Sequence, residues 1–270
     1  MSYNGPYIIA GMHRSGTSLL ARMMSTMGFR LGTDFIPPDS GNPDGYLEDK
    51  DIVSLQRLIL QTTVSATSPG WPDWGWSIHG NNNLDTACSK AQHRAQAYLL
   101  ARESESLDGN LWGWKDPRST LLLNLWQTLV PGLRVVAVYR QPWDVVAALQ
   151  RVKPPVFLAN PSWCLPIWEH YNKRLLEFAI RHPGQCILLN AQALASDPER
   201  LPRILAETWQ LSLPSSALRQ LVRPDRLNSQ PPHDPLELLY RATFQEACSL
   251  YDSLQSCSSM PFSANIHSSQ

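Results

Sequence analysis

Hydrophobic positions along the chain follow two patterns, one typical of buried strands and the other of amphipathic helices. Short apolar runs at residues 7–10, 111–115, 133–139 and 185–189 predict four strands, and the near-continuous third run is typical of a strand buried on both faces. Helical spacing predicts helices over residues 17–27, 51–61, 87–107, 119–129, 162–181, 197–209 and 234–254, with another that begins at Pro142. Because strands alternate with helices, we predict an α/β fold, a three-layer α/β/α sandwich around a central, mostly parallel sheet.

Turn-forming residues interrupt this pattern in two places. The stretch from 33 to 46 is dense in Pro, Gly, Asp and Asn, which predicts a long loop, and long loops in compact domains are often functional. The stretch that follows the helix at 51–61, as far as residue 83, is rich in Gly, Pro, Ser and Trp, and we expect it to be a mobile flap. Its tryptophans either pack beneath the loop or contact an acceptor.

Composition and charge limit the classes of protein to be considered. With 270 residues and 43% hydrophobic content, the chain can bury one large core, so we predict a single domain over residues 1–255 and a disordered polar tail over 256–270. The formal net charge is zero, which argues against nucleic acid or an acidic membrane as a partner. No apolar segment is long enough to cross a bilayer, and we expect a soluble, cytoplasmic protein.

Cysteine and histidine patterns argue against a disulfide framework and against a metal site. The five cysteines are scattered and contain no C-x-x-C pair, and the seven histidines show no H-E-x-x-H spacing. We therefore expect no metal cofactor.

The most specific signal lies where the first predicted strand leads into the first predicted helix. Backbone N–H groups of residues 14–17 would point at an anion there, and the helix dipole adds positive potential. Gly11 and Gly16 have the spacing of the nucleotide triphosphatase loop G-x-x-x-x-G-K-[ST], and Ser18 occupies its hydroxyl position, but Thr17 stands where the Lys belongs. The tract predicts an anion site for a ligand other than a triphosphate; the alternatives are a small-molecule kinase or an ordinary strand-to-helix turn.

The sequence Arg-Ser-Gly-Thr-Ser at residues 14–18 resembles the 5'-phosphosulfate loop of sulfotransferases that use 3'-phosphoadenosine-5'-phosphosulfate (PAPS). This resemblance implies a P-loop NTPase-like fold and transfer of a sulfuryl group from PAPS, without a metal, to a hydroxyl or amine. The acceptor would be a small molecule, a carbohydrate or a peptide. The co-substrate-binding residues implied in this loop are His13, Arg14, Ser15, Gly16, Thr17 and Ser18, with Arg14 also acting in catalysis.

A second anion site is predicted at the end of the third strand. Arg140 directly follows the apolar run at 133–139, and ligands of open parallel sheets bind at the carboxyl ends of the strands. The family's 3'-phosphate motif is similar, with an Arg at a strand end and a Ser eight residues later. Here the eighth residue is Ala148, so both positions are assigned to co-substrate binding but the hydroxyl is missing. That gap leaves open a noncatalytic nucleotide-binding protein, and Arg140 could instead cap the sheet edge through salt bridges.

A third element, Lys-Asp-Pro at residues 115–117, follows the second predicted strand. It is similar to an element of tyrosylprotein sulfotransferases in which the Lys helps to stabilise the transferring sulfuryl group. The resemblance implies a catalytic role for Lys115. Arg118 alternatively forms an internal ion pair with Asp116.

The fourth element, Gly-Tyr-Leu-Glu at residues 45–48, resembles the Gly-Tyr-x-Glu element of bacterial sulfotransferase-like proteins. It implies that Glu48 lies near the acceptor and serves as general base, with Asp116 as the next candidate. The alternative for Glu48 is a favourable negative charge at the N-terminus of the helix predicted from residue 51.

Overall fold

A parallel sheet of four strands forms the centre of the computed structural model, which describes residues 5–39, 41–62, 73–76, 84–105, 111–214, 217–223 and 235–262. The strands are β1 (Tyr7–Ala10), β2 (Gly113–Lys115), β3 (Arg134–Tyr139) and β4 (Cys186–Asn190). Their order across the sheet is β2-β1-β3-β4, and each neighbouring pair is parallel. The predicted α/β fold with a parallel sheet is therefore confirmed.

Helices surround this sheet. The α-helices of the described residues are α1 (Thr17–Thr26), α2 (Lys50–Gln61), α3 (Leu84–Glu105), α4 (Leu123–Leu129), α5 (Pro142–Val152), α6 (Pro155–Ala159), α7 (Cys164–Arg181), α8 (Ala191–Ser196), α9 (Arg200–Trp209), α10 (Pro235–Thr243) and α11 (Gln245–Ser256). Short 3-10 helices lie at Pro117–Leu121, Pro161–Trp163 and Leu218–Leu221. Within the described ranges, none of the helices has the combination of length and apolarity that a bilayer span requires.

The sheet is buried on both faces, which explains why its strands are almost continuously apolar. Successive side chains of a strand point to opposite faces. Ile8 and Val135 pack into a core with α2, α3, α4, α5, α7 and α11, whereas Tyr7 and Val136 pack into a second core with α1, α8 and α9. The result is three layers, with the sheet in the middle.

The strand order creates a topological switch point between β1 and β3. The chain leaves β1, forms β2 on one side of it, and then crosses to form β3 on the other side. Ligands of open α/β sheets bind outside the carboxyl ends of the two strands at such a point. Here those ends are Ala10, which leads into the glycine-bounded loop, and Tyr139, which leads into Arg140.

Two of the predicted helices are interrupted. The prediction over 119–129 corresponds to the 3-10 helix Pro117–Leu121 followed by α4, and the prediction over 234–254 corresponds to α10 and α11. Phe244 separates the latter two because its backbone is non-helical (φ −120°, ψ 62°). Apolar spacing continues across such a break, so periodicity alone does not reveal it.

The prediction of a disordered tail over 256–270 is wrong for residues 256–260. α11 continues to Ser256, and the segment after it pairs with β4: Asn190 N donates to the carbonyl of Met260 (3.1 Å), and Ser259 N donates to the carbonyl of Leu188 (2.9 Å). Met260 is only 1% exposed. The physical reason is that the free polar groups of edge strand β4 need partners. Residues 263–270 and most of the predicted flap lie outside the described residues, and the extent of the domain stays a prediction.

Candidate functional site

Residues 11–16 form the turn between β1 and α1, and two glycines shape it. A Cβ on Gly11 (φ +133°) would lie 2.2 Å from the carbonyl oxygen of Val138, so only glycine lets the turn approach β3 this closely. The Gly11 N–H donates to Oγ1 of Thr120 (2.8 Å). Gly16 (φ +96°) is the N-cap of α1, and no side chain caps this helix. The first N–H groups of α1 are therefore available to an anion.

Three residues of this turn have features typical of a ligand site. Arg14 has a left-handed backbone (φ 68°), a conformation that costs energy in a non-glycine residue and often occurs at functional sites. Within the described residues, Oγ of Ser15 and Nε2 of His13 are buried without a hydrogen-bond partner. Of these two residues His13 lines the cleft described next, so its Nε2 is available for a hydrogen bond to a ligand group there.

The turn forms one wall of a cleft that is open to solvent and has a volume of about 150 Å³. Nearly all the side chains predicted for the site line this cleft: His13, Arg14, Gly16, Thr17, Ser18, Glu48, Lys115, Arg140 and Ala148. Ser15 is the exception, because this residue of the turn is fully buried and does not line the cleft.

Sequence analysis missed three further arginines of the cleft, Arg22, Arg151 and Arg223. Arg22 follows Ser18 by four residues on α1, and Arg151 follows Ala148 by three residues on α5. Helical spacing of this kind places each arginine on the same face as the predicted site residue, so the signal was present in the sequence. Arg223 follows a short 3-10 helix in a segment without a recognisable motif.

Arg140 forms a salt bridge and also lines the cleft, which is compatible with both roles that the sequence left open. Its Nε lies 3.3 Å from Oδ2 of Asp144, and its Nη1 donates to the carbonyl of Arg14 (3.4 Å), so it does form a salt bridge at the sheet edge. It also lines the cleft. Burial lowers the pKa of Arg140, Asp144 opposes this effect, and the nearby charges of Arg151 and Arg14 lower it further.

Lys115, Glu48 and Ser18 meet although they come from distant parts of the chain. Nζ of Lys115 donates to Oε1 of Glu48 (2.5 Å) and to Oγ of Ser18 (3.4 Å). Lys115 is 1% exposed and Glu48 is 7% exposed. The other carboxylate oxygen of Glu48 lies 3.8 Å from Nη1 of Arg118. A buried cation and a buried carboxylate thus lie together beside the hydroxyl end of the glycine-bounded turn.

Glu48 is not the residue that caps α2. The N-cap is Asp49, whose carboxylate accepts hydrogen bonds from the backbone N–H groups of Asp51 (3.1 Å) and Thr33 (3.0 Å). Glu48 directly precedes this cap, and its carboxylate contacts Lys115 and Arg118. Sequence reasoning overlooked Asp49, although an Asp directly before a helix is a common N-cap.

Asp116 is unsuited to act as a general base, which corrects its place as the next candidate. It is fully buried, and it does not line the cleft. Its Oδ1 accepts from the backbone N–H (2.9 Å) and Nη1 (2.8 Å) of Arg118, while its Oδ2 accepts from Nε2 of Gln56 (2.8 Å). Asp116 instead holds Arg118 in place, as the internal ion-pair alternative predicted.

His13 is held as a neutral imidazole. Its ring centroid lies 4.6 Å from that of Trp74 and 6.0 Å from that of Tyr171. Burial lowers the pKa of His13 well below its ordinary 6.5, and the positive charges of Arg118, Lys115 and Arg14 lower it further.

The depressed pKa of His13 predicts a loss of stability in acid. Below pH 6.5 the unfolded chain binds a proton at this residue and the folded protein does not, so the free energy of unfolding falls as the pH falls. Urea unfolding of the wild type and of His13→Asn at pH 7.5 and 5.5 measures this slope, and the variant should have the shallower one. His170, whose pKa burial lowers to about 4, contributes a separate slope, so His170→Asn is the matched comparison. An unchanged slope in His13→Asn would mean that the pKa of His13 is not lowered in the folded protein.

The predicted long loop also lines the cleft, through contacts that could not be read from its composition. Nη1 of Arg14 donates to the carbonyl of Gly41 (3.1 Å), and Nδ2 of Asn42 donates to Oγ of Ser18 (3.2 Å). The Tyr46 ring lies 5.9 Å from Nζ of Lys115. Burial, followed by its hydrogen bond to Asp39, raises the pKa of Tyr46. The loop thus contacts Arg14 and Ser18, which are candidates for anion binding, and it lies close to Lys115, a candidate for catalysis.

Comparison with known proteins settles the family. The model of the Sulfotransferase family matches residues 6–215, which include the glycine-bounded turn, Glu48, Lys115 and Arg140. The chain belongs to this family. No curated protein matches it.

Solved sulfotransferases share the fold at low sequence identity. The sulfotransferase from Alicyclobacillus acidocaldarius is 16% identical, with 96% of this chain and 98% of that chain covered and a TM-score of 0.55. The sulfotransferase domain from the curacin biosynthetic pathway is also 16% identical, with 85% and 82% covered and a TM-score of 0.51. The predicted P-loop-like sulfotransferase fold is confirmed, and family membership implies sulfuryl transfer.

Proposed function

We propose that this sulfotransferase transfers the sulfuryl group of PAPS to a hydroxyl, or less favourably an amine, of an acceptor. The observation that carries the proposal is the meeting of Lys115, Glu48 and Ser18 at the hydroxyl end of the glycine-bounded turn. A cation for developing charge and a carboxylate for a proton lie next to a ready-made anion cradle. A protein that only bound a nucleotide would not need a buried ion pair there.

The residues of the cleft fit the proposed donor. The uncapped N-terminus of α1 and the hydroxyls of Thr17 and Ser18 would hold the 5'-phosphosulfate, and Arg140 would hold the 3'-phosphate. PAPS supplies an activated sulfuryl group whose bond to the bridging oxygen can be broken.

Arg14, Lys115 and the N–H groups of the turn would stabilise the negative charge that grows on this bridging oxygen as its bond to sulfur breaks. Fixed dipoles and buried cations do this best, because they need no reorganisation during the reaction. Glu48 would accept the proton of the acceptor hydroxyl while that oxygen forms the new bond to sulfur. We propose that these cations replace the Mg²⁺ that many kinases use for the same purpose.

Nucleotide binding tests the donor class directly. We expect adenosine 3',5'-bisphosphate to bind more tightly than ATP, because the turn lacks the lysine that reaches the outer phosphates of a triphosphate and the cleft offers Arg140 for a 3'-phosphate. Isothermal titration calorimetry with both ligands, with and without Mg²⁺, measures the difference. Tighter binding of ATP that depends on Mg²⁺ would contradict the proposal and favour a kinase.

Formation of a sulfated product tests the reaction. The protein is incubated with PAPS and a metabolite extract, and mass spectrometry then searches for species that gain a sulfuryl group. A heat-denatured sample is the control. Binding of the bisphosphate without any sulfated product, across a broad panel of acceptors, would instead support a noncatalytic nucleotide-binding protein.

A further inference from the structure

The hydroxyl of Ser18 accepts hydrogen bonds from two distant parts of the chain. Nδ2 of Asn42, in the long loop, donates to its Oγ at 3.2 Å, and Nζ of Lys115, at the end of β2, donates to the same atom at 3.4 Å. A hydroxyl oxygen has two lone pairs that accept and one proton that it can donate. Both accepting positions of Ser18 are therefore occupied, and what is left to it is donation.

The loop itself holds the amide of Asn42 in this orientation. Its Nδ2 also donates to the carbonyl of Gly45 (2.6 Å), and because a carbonyl can only accept, the nitrogen of the amide must face this side. The backbone N–H of Asn42 donates to Oδ1 of Asp39 (2.9 Å), and the hydroxyl of Tyr46 donates to the same oxygen (2.6 Å). The position of the amide beside Ser18 is thus fixed by the loop.

The proton of the Ser18 hydroxyl is available to a ligand in the cleft. Among the residues that the structure describes, no backbone or side-chain group accepts a hydrogen bond from this hydroxyl. Ser18 is half-buried and lines the cleft as the second residue of α1, whose uncapped N-terminus is available to an anion. An anion bound there would accept the remaining hydrogen bond of Ser18.

We propose that Asn42 is a positioning residue of the donor site, which orients the Ser18 hydroxyl so that it donates to the 5'-phosphosulfate. This inference rests on the proposed function, because it assumes that the 5' group of the donor lies at the turn. Without the amide, the hydroxyl proton could rotate among several positions and would lose that freedom when the donor binds. With the amide in place, the freedom is already lost in the folded protein, and binding is stronger.

Two ligands that differ in one group isolate this effect. Adenosine 3',5'-bisphosphate carries a 5'-phosphate, and adenosine 3'-monophosphate lacks it. We expect Asn42→Ala to weaken binding of the bisphosphate about fivefold, the usual effect of one neutral hydrogen bond, and to leave binding of the monophosphate within about twofold of wild type. Calorimetry measures both affinities. Asn124→Ala, which changes an exposed asparagine of α4 outside the cleft, is the matched control and should alter neither.

A second variant reverses the hydrogen bond. The carboxylate of Asn42→Asp cannot donate and would itself accept the proton of Ser18, so we expect a loss of about tenfold or more for the bisphosphate. In a Ser18→Ala background the same change should cost less, because only the repulsion between the carboxylate and the ligand remains. Equal losses in the two backgrounds would assign the effect to charge alone and overturn the inference.

A double-mutant cycle separates the orientation of Ser18 from a general effect on the loop. In the Ser18→Ala background, Asn42→Ala should weaken binding of the bisphosphate less than about twofold further, because no hydroxyl is left to orient. A full fivefold loss in that background, equal losses for the two ligands, or no loss in either background would overturn the inference while the proposed function stands. If the wild type bound the bisphosphate no more tightly than the 3'-monophosphate, the proposed donor site and this inference would both be wrong.

Discussion

Lys115→Met is expected to lower both the stability and the turnover of this sulfotransferase. The change removes the cation that contacts the buried carboxylate of Glu48 at 2.5 Å and leaves only Arg118, at 3.8 Å, beside it. Breaking a buried ion pair from one side costs about 3–5 kcal/mol, and Arg118 should keep the loss near the lower end of this range. Lys115→Met also removes a cation from the point where negative charge would develop, which should reduce turnover about 10²- to 10³-fold. Urea unfolding and an assay of sulfated product measure the two effects separately.

A double variant distinguishes the effect on stability from the effect on chemistry. Lys115→Met with Glu48→Gln leaves no unpaired charge at this position, so the free energy of unfolding should recover most of the loss. Turnover should stay low, because neither the cation nor the carboxylate is present. Recovery of turnover in the double variant would show that neither Lys115 nor Glu48 takes part in the chemistry.

Glu48→Gln is expected to leave donor binding nearly intact and to reduce turnover about 10²- to 10⁴-fold, the usual contribution of a positioned base. The amide keeps the shape of the carboxylate and its contact with Lys115 but cannot take up the proton of an acceptor hydroxyl. Steady-state kinetics with PAPS and an identified acceptor measures turnover, and titration with adenosine 3',5'-bisphosphate measures donor binding.

The pH profile identifies the base. A limb in which turnover rises with pH as the base loses its proton should be present in the wild type and in Lys115→Met, and it should vanish in Glu48→Gln. Normal turnover with an unchanged profile in Glu48→Gln would mean that another group takes the proton. Asp116 is a poor substitute, because Arg118 and Gln56 occupy its oxygens, and His13 would then be the next residue to test.

Features that depend on local sequence were predictable here. Buried strands are recognised by apolar runs and helices by their spacing, so the four strands lie within a residue or two of their predicted bounds. The turn at residues 11–16 was also predictable, because it begins and ends at glycines, which can adopt the positive φ angles found there. Phe244 marks the limit of this approach, since one non-helical residue divides a helix without disturbing its apolar pattern.

Features that depend on the meeting of distant segments were not predictable from the residues alone. Lys115 and Glu48 are separated by 67 positions, and their contact requires the end of β2 to lie beside the segment that leads into α2. The two residues could each be proposed for the site, but not their ion pair. Arg223 carried no motif, and it follows the 3-10 helix Leu218–Leu221, whose Leu218 is buried in the core that also contains α1.

The pairing of Met260 with β4 bears on how the protein avoids aggregation. An uncovered edge strand offers N–H and C=O groups to which another chain can add. The segment around Met260 covers β4 through a parallel bridge with Leu189, and Arg30 covers the opposite edge through a bridge with Trp112, next to β2. A chain cut after Ser256 would lose the first of these covers and present β4 as a template for a second molecule. The short segment that follows α11 therefore covers the edge of the sheet and prevents a second molecule from pairing with β4.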